Sequence, residues 1–345
     1  GFLTRPHRSL AITGAALAAT LAFSADARAG GHVSADNLVI PKMTQEQKDG
    51  IRASIDKVAD YDDEQLGQIM ARLATEHGYL SDPELTGEVG ILLLAHGYHG
   101  EGYGEFKQAF KKVYTTYPTA YGFGLGILRS DHLEEPIKKL EAAGAKTVII
   151  IPASSAYYSD MVRQWHYALG TGDTWGYIEP PKVETNAELV WAPYPMAHPI
   201  IGEILTDHAM EMSTDPSNEL VVIMGHGPSD VPDNDKELAI LAEQAERLIA
   251  AGFARVEVAN VQDDAPLDMR AANVERIRGW ITGAQDAGMD VIVVPTAMTE
   301  SGLMRKLVKD VEEYGVAFND SGVMTHPRFP DWIDEVIANA TAEIN

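Results

Sequence analysis

A chain of 345 residues with 45% hydrophobic and 23% charged residues can bury a large core and exceeds the commonest single-domain length, so two domains are expected. Its formal net charge of −24 disfavours nucleic-acid backbones and anionic lipid surfaces as partners. It has no cysteine, which excludes disulfide scaffolds, thiolate metal sites and cysteine nucleophiles. Any metal must then be held by His, Asp, Glu, Met or Tyr.

The first 29 residues read as a signal peptide. Arg5, His7 and Arg8 precede an apolar run from Leu10 to Phe23, and Ala27-Arg28-Ala29 supplies small residues for cleavage. The run is shorter than the roughly 20 residues a membrane span needs. This predicts a periplasmic or secreted protein, and nothing beyond residue 30 is long and apolar enough to span a bilayer.

Residues 30–87 read as a helical N-terminal extension. Thr44-Gln45-Glu46-Gln47 has the form of a capping box, and Ile51, Ile55 and Val58, then Leu66, Ile69, Met70 and Leu73, fall at helical spacing; the helical stretch is placed at 43–77.

From Val89 the pattern becomes α/β. Ile91-Leu92-Leu93-Leu94 is a continuous apolar run, as expected for a parallel strand covered on both faces, and it ends in Ala95-His96-Gly97. A helix with Phe106, Phe110 and Val113 follows, then an apolar segment from Tyr121 to Leu128. A helix with Ile137, Leu140 and Ala143 stops at Gly144, before the strand Val148-Ile149-Ile150-Ile151-Pro152. The same order recurs: Leu220 to Met224 runs into Gly225-His226-Gly227, and Val291 to Pro295 answers the earlier Ile-rich strand. Each half closes on a related motif, Met196-Ala197-His198-Pro199 and Met324-Thr325-His326-Pro327. Two α/β domains with parallel sheets follow, at 88–215 and 216–345.

Ligands of such sheets bind beyond the carboxyl ends of the strands, which is where His96 and His226 fall. An imidazole there can accept a proton near neutral pH or ligate a divalent metal. His99, Asp131 and His132 offer further nitrogen and oxygen donors close to His96 in sequence, although solvated loop positions explain them equally well. Tyr157-Tyr158, Trp165-His166-Tyr167 and Trp175 could fold over a flat apolar ligand or pack against the helical extension. His198 and His326 each precede a proline and read as helix entries. The Tyr121–Gly126 stretch lacks GxGxxG spacing, and no phosphate loop or GxSxG elbow occurs. His-centred metal or proton chemistry is what remains.

The order of motifs resembles the class II tetrapyrrole chelatases, a family that includes sirohydrochlorin cobaltochelatases. The likeness rests on Ile91 to Gly97, on Leu133-Glu134-Glu135-Pro136-Ile137 leading to Gly144 through Pro152, and on the recurrence from Val221 to Pro295; it covers roughly residues 88–345. It implies two chelatase-like (Rossmann-like) domains facing each other across a cleft for a planar tetrapyrrole. It further implies that a strand-end His, here His96 or His226, binds the metal and accepts pyrrole protons, with Asp131, or Asp263 or Asp264, as the acidic residue after the middle strand. The family's second His, shortly after the proline that ends the next strand, corresponds here to Asp160 and Leu303, and His166 could substitute from farther along.

The expected site therefore has His96, His226 and Asp131 as catalytic residues. His96, His99, His132 and His166 are its metal ligands, and Tyr98, Tyr157 and Trp165 its ring contacts. The first half, where His96 has more neighbours in sequence, is expected to hold the working site. The substrates implied are a tetrapyrrole, haem included, and a divalent metal, Co²⁺ first, with Ni²⁺, Fe²⁺ or Zn²⁺ as alternatives. The expected function is an exported cobaltochelatase-like metal insertion; the alternative is a non-catalytic periplasmic binder of a tetrapyrrole or metal. Assembly into a homo-oligomer is compatible with either.

Overall fold

A computed structural model describes residues 39–73 and 75–344. The segment read as a signal peptide, 1–29, lies outside the described residues, as does the start of the extension. Among the described residues no helix is long and apolar enough to cross a membrane.

The extension opens with α1 (Gln45–Ser54) and α2 (Asp63–Arg72). Thr44 and Gln47 close a reciprocal capping box, and Asp62 and Gln65 close a second one that the sequence pattern did not single out. Ile51, Val58, Leu66 and Met70 pack with Leu125, Ile127 and Ile178, which fixes the extension to loops of the first α/β unit. The helical reading of residues up to 77 fails at its end. Glu76–Tyr79 forms a strand, β1, antiparallel to β3 (Thr119–Phe123) with Glu76 opposite Phe123. Gly78 permits this, because a Cβ there would lie 2.6 Å from the Tyr121 ring.

The first sheet has the order β1-β3-β2-β4-β5, with β2 at Val89–Ala95, β4 at Thr147–Pro152 and β5 at Glu188–Trp191. All its pairings but the β1 edge are parallel. Side chains alternate between two covered faces. Ile91, Leu93, Ile149 and Ile151 meet Phe106 and Phe110, from α3 (Glu101–Ala109) and the start of α4 (Lys111–Thr116). Leu92, Leu94, Val148 and Ile150 meet α5 (Asp131–Ala142) and α6 (Asp160–Ala168).

After α7 (Pro199–Met212) comes a second sheet of order β7-β6-β8-β9. It is built from β6 (Glu219–Gly225), β7 (Arg255–Asn260), β8 (Asp290–Pro295) and β9 (Ala317–Phe318), with α8 (Val231–Ala250), α9 (Leu267–Asp286) and α10 (Gly302–Val311) between them. Without β1, the first sheet has the same strand order. Leu220, Val222 and Met224 face Val274, Ile277 and Ile281 of α9, while Val221 and Ile223 join the core that also holds Leu241 and Leu248 of α8.

The closing helices are exchanged between the two units. α7 packs on α8 and β8 of the second unit, and a Cβ at Gly202 would lie 2.1 Å from Gln244 Oε1. α11 (Phe329–Ile344) returns to the first unit, with the Phe329 ring 6.1 Å from Phe110 and Asp334 2.6 Å from Lys112. The His-Pro motifs hold this exchange together. His198 Nδ1 accepts from Ile200 N–H while its Nε2 lies 3.3 Å from Glu335 on α11; His326 Nδ1 accepts from Arg328 N–H while its Nε2 lies 3.2 Å from Asp207 on α7.

Candidate metal and ligand site

β2 and β6 both deliver a His at their carboxyl ends, and both chains turn at a following glycine, Gly97 at φ 142° and Gly227 at φ 69°. At Gly227 a Cβ would lie 2.4 Å from Asn260, so the turn needs glycine for space as well as for conformation. His96 and His226 line one cavity of about 1070 Å³ between the two units, together with His99, Tyr98, Asp263, Asp264 and Lys57. This is the upper end of the size expected of small-molecule sites, roughly 300–1,000 Å³.

His226 is held from both ring nitrogens. Its Nδ1 lies 2.7 Å from the Gly227 carbonyl, which can only accept, so that nitrogen carries a proton; its Nε2 lies 3.3 Å from Asp264 Oδ2. Burial works to lower the His226 pKa, but Asp264, with Asp263 and the Gly227 carbonyl, more than reverses this and leaves it raised. Burial would likewise raise the Asp264 carboxyl, yet His226, Lys57 and His96 outweigh it and hold the group at about 2. His96 behaves oppositely: burial lowers its pKa, His226 and His99 push the same way, and Asp264 opposes only in part. The site thus pairs an imidazole kept neutral with one that readily holds a proton.

Among the described residues, the one set of three His or carboxylate donors close enough to share a metal is His226, Asp263 and Asp264. The Asp263 carboxylate is already engaged, 2.7 Å from both Arg270 Nε and Lys306 Nζ. That leaves His226 Nε2 and Asp264 as the candidate donors of this set.

Of the residues expected from sequence, His96, His99, Tyr98 and His226 meet at the cavity. Tyr98 is anchored there, its hydroxyl donating to the Ala153 carbonyl at 2.5 Å and its ring stacked on Phe106. The others do not converge with them. Asp131 opens α5 beside Arg129, 3.7 Å away, and does not line the cavity. His132 falls on the buried face of α5 with Leu133, Pro136 and Leu140; both its ring nitrogens lack partners, and burial pushes its pKa down to about 4. Trp165 sits in the core beneath the first sheet on the α6 face that also carries Val162 and Ala168. His166, on the other side of that helix, stacks on Trp191 at 3.9 Å and contacts Thr171 through Nδ1. Tyr157 is exposed and packs edge-on against Tyr158 and Tyr194.

The partners of the strand-end His residues thus come chiefly from the second half rather than the first. Asp263 and Asp264 carried a signal, since they lie three and four residues past the end of β7. Lys57, some 200 positions from Asp263 in sequence, carried none.

Contacts from α8 tie the second unit to α6 and the loop before it at the side of the cleft. Arg163 of α6 makes a two-pronged bridge to Asp233 at 2.7 and 2.6 Å, and Glu237 accepts from the Tyr157 and Tyr158 amides at 2.7 and 2.6 Å. Replacing Arg163 by Met leaves Asp233 buried without its cation. The expected loss is about 1–2 kcal/mol in denaturant unfolding, less than for a fully buried pair because Arg163 is partly exposed.

No family model matches the sequence, and no curated protein matches it. Solved structures do. SirB from Bacillus subtilis with Fe3+ aligns over 74% of this chain and 96% of its own, with a TM-score of 0.55 and 14% identity. DR2241 from Deinococcus radiodurans, described as a multi-domain protein with structural similarity to chelatases and two additional novel domains, aligns over 73% of this chain and 55% of its own, with a TM-score of 0.44 and 18% identity. The chain has a chelatase-type fold: two α/β domains with parallel sheets, preceded by a helical extension.

Proposed function

We propose that this protein is a metal chelatase that inserts a divalent cation, Co²⁺ foremost, into a tetrapyrrole of the sirohydrochlorin type, and that it works outside the cytoplasm. The observation that carries the reading is the meeting of His96 with the His226–Asp264 pair in one cavity between the two domains. The charge pattern of the N-terminal segment supports export. Nitrogen and carboxylate donors suit Co²⁺, Ni²⁺, Fe²⁺ and Zn²⁺ alike, and SirB was solved with Fe³⁺.

In this reading the cation lands on His226 Nε2 and Asp264, displacing the proton that His226 otherwise holds. The tetrapyrrole enters with two N–H groups, and both protons must leave as the metal binds its nitrogens. His96, kept neutral by burial, accepts one. His226 accepts the other once its Nε2 has released the metal. One divalent cation thus replaces two protons.

A second reading, a binder without turnover, is favoured by one observation. Asp160 and Leu303, where the resembled family would carry its second His, both line the cavity without an imidazole. Following Co²⁺ insertion into metal-free sirohydrochlorin by absorbance separates the two. Insertion well above the protein-free rate is the expected result. Tight binding of metal or tetrapyrrole at the protein-free rate supports the binder, and no binding of either overturns both.

A further inference from the structure

Asp263 is a meeting point for three cations from three elements. Arg270 of α9 and Lys306 of α10 grip its carboxylate, while Lys57, on the short turn Asp56–Val58 after α1, donates to its backbone carbonyl at 3.2 Å. That carbonyl belongs to the same planar peptide unit as the Asp264 amide. Fixing its direction therefore fixes how Asp264 leaves the chain. The turn is under tension just before this point: Gln262 has φ 53°, held by its N–H donating to the His226 carbonyl at 2.7 Å and its side chain donating to the Pro228 carbonyl at 3.0 Å.

Lys57 is itself firmly placed. Val58 beside it is fully buried in the extension's core, and Ser54 donates to the Tyr177 carbonyl at 2.5 Å. Ser54, Ile55, Asp56 and Lys57 form one wall of the cavity. A lysine next to a cation's landing point is unfavourable on charge grounds alone. Its presence there calls for a compensating role.

We propose that Lys57 is a positioning residue that orients Asp264 toward His226 by holding the Asp263 peptide, so that the N-terminal extension is a working part of the metal site. The metal half of this inference rests on the reading of His226 and Asp264 given above.

The sign of one measurement tests it. If Lys57 were only a nearby charge, Lys57→Met would tighten Co²⁺ binding by removing repulsion. If it positions Asp264, the same change weakens Co²⁺ binding at least fivefold by calorimetry on the full chain, and Lys57→Arg, which keeps the donor, stays within twofold of the parent. Hydrogen–deuterium exchange at Gln262 and Ala265, whose amides donate to the His226 carbonyl at 2.7 Å and the Gln262 carbonyl at 2.9 Å, is expected to quicken at least tenfold in Lys57→Met, with β6 and β8 unchanged. Unchanged exchange at these amides overturns the positioning role whatever Co²⁺ does. Faster exchange with unchanged or tighter Co²⁺ binding overturns its link to the metal. If the parent protein binds no Co²⁺ while exchange still quickens, the metal reading fails and the positioning role stands.

Discussion

Replacing His226 with alanine is expected to slow Co²⁺ insertion into sirohydrochlorin by about two to four orders of magnitude, the range for losing a group that handles the transferred proton. The change removes the Nε2 donor and leaves Asp264, half-buried and ionised, without its imidazole at 3.3 Å. Loss of kcat/KM in steady-state kinetics, together with loss of Co²⁺ affinity by calorimetry, is the expected result. His96→Ala removes the neutral proton acceptor but spares the His226–Asp264 pair, so insertion is lost while Co²⁺ still binds. His132→Ala and His166→Ala, both away from the cavity, leave kcat/KM within about twofold. Activity that survives His226→Ala would remove the second-domain histidine from the mechanism.

Asp264→Asn is expected to produce opposite pH signatures in stability and in metal binding. The Asp264 carboxyl is held at about 2 against an ordinary 3.8, so its stabilising contribution is present above 3.8 and is lost as pH falls toward 2. His226 is raised above 6.5, so its contribution is full below 6.5 and is lost as pH rises through the raised value. The pair is therefore worth most in the mildly acidic window between those limits. The variant should lose about 1–2 kcal/mol in urea unfolding near pH 5.5, and less near pH 9. Metal binding runs the other way, because Co²⁺ competes with the His226 proton: affinity in the parent rises as pH climbs through the raised pKa. Without the carboxylate, the His226 pKa drops and this rise moves to lower pH. The plateau affinity should fall at least about 10–100-fold, the range for losing a group that merely supports a metal ligand, because in the proposed reading Asp264 is itself a ligand. Calorimetric titrations across the neutral range check both statements.

The main strands were legible because burial on both faces leaves an uninterrupted apolar run, as in Leu92-Leu93-Leu94 and Val221-Val222-Ile223. The placing of His96 and His226 followed from the strand ends themselves. Expectations failed where a helix's phase decided the outcome. His132 and Trp165 each fall on the core face of a helix, and a shift of one residue would have turned them elsewhere. The strand Glu76–Tyr79 lacks an apolar pattern because it is an edge paired on one side only. Lys57 was hidden for another reason: its role depends on where a separate segment docks, which short-range patterning does not encode.

The crossed placement of α7 and α11 also bears on how the molecule moves and how it is assembled. Each α/β unit closes its core with a helix that follows the other unit's sheet, so Phe329 and Trp332 would lose their packing in an isolated second half. The two halves are expected to form a single cooperative folding unit whose decisive contacts arrive late, because the chain must finish both sheets before either core is sealed. For a planar ligand this means entry through small breathing motions of the cleft walls rather than wide separation of two bodies. The interlock is expected to limit how far the two cleft walls can separate, so that the proposed flat ligand would meet a slot of nearly fixed width.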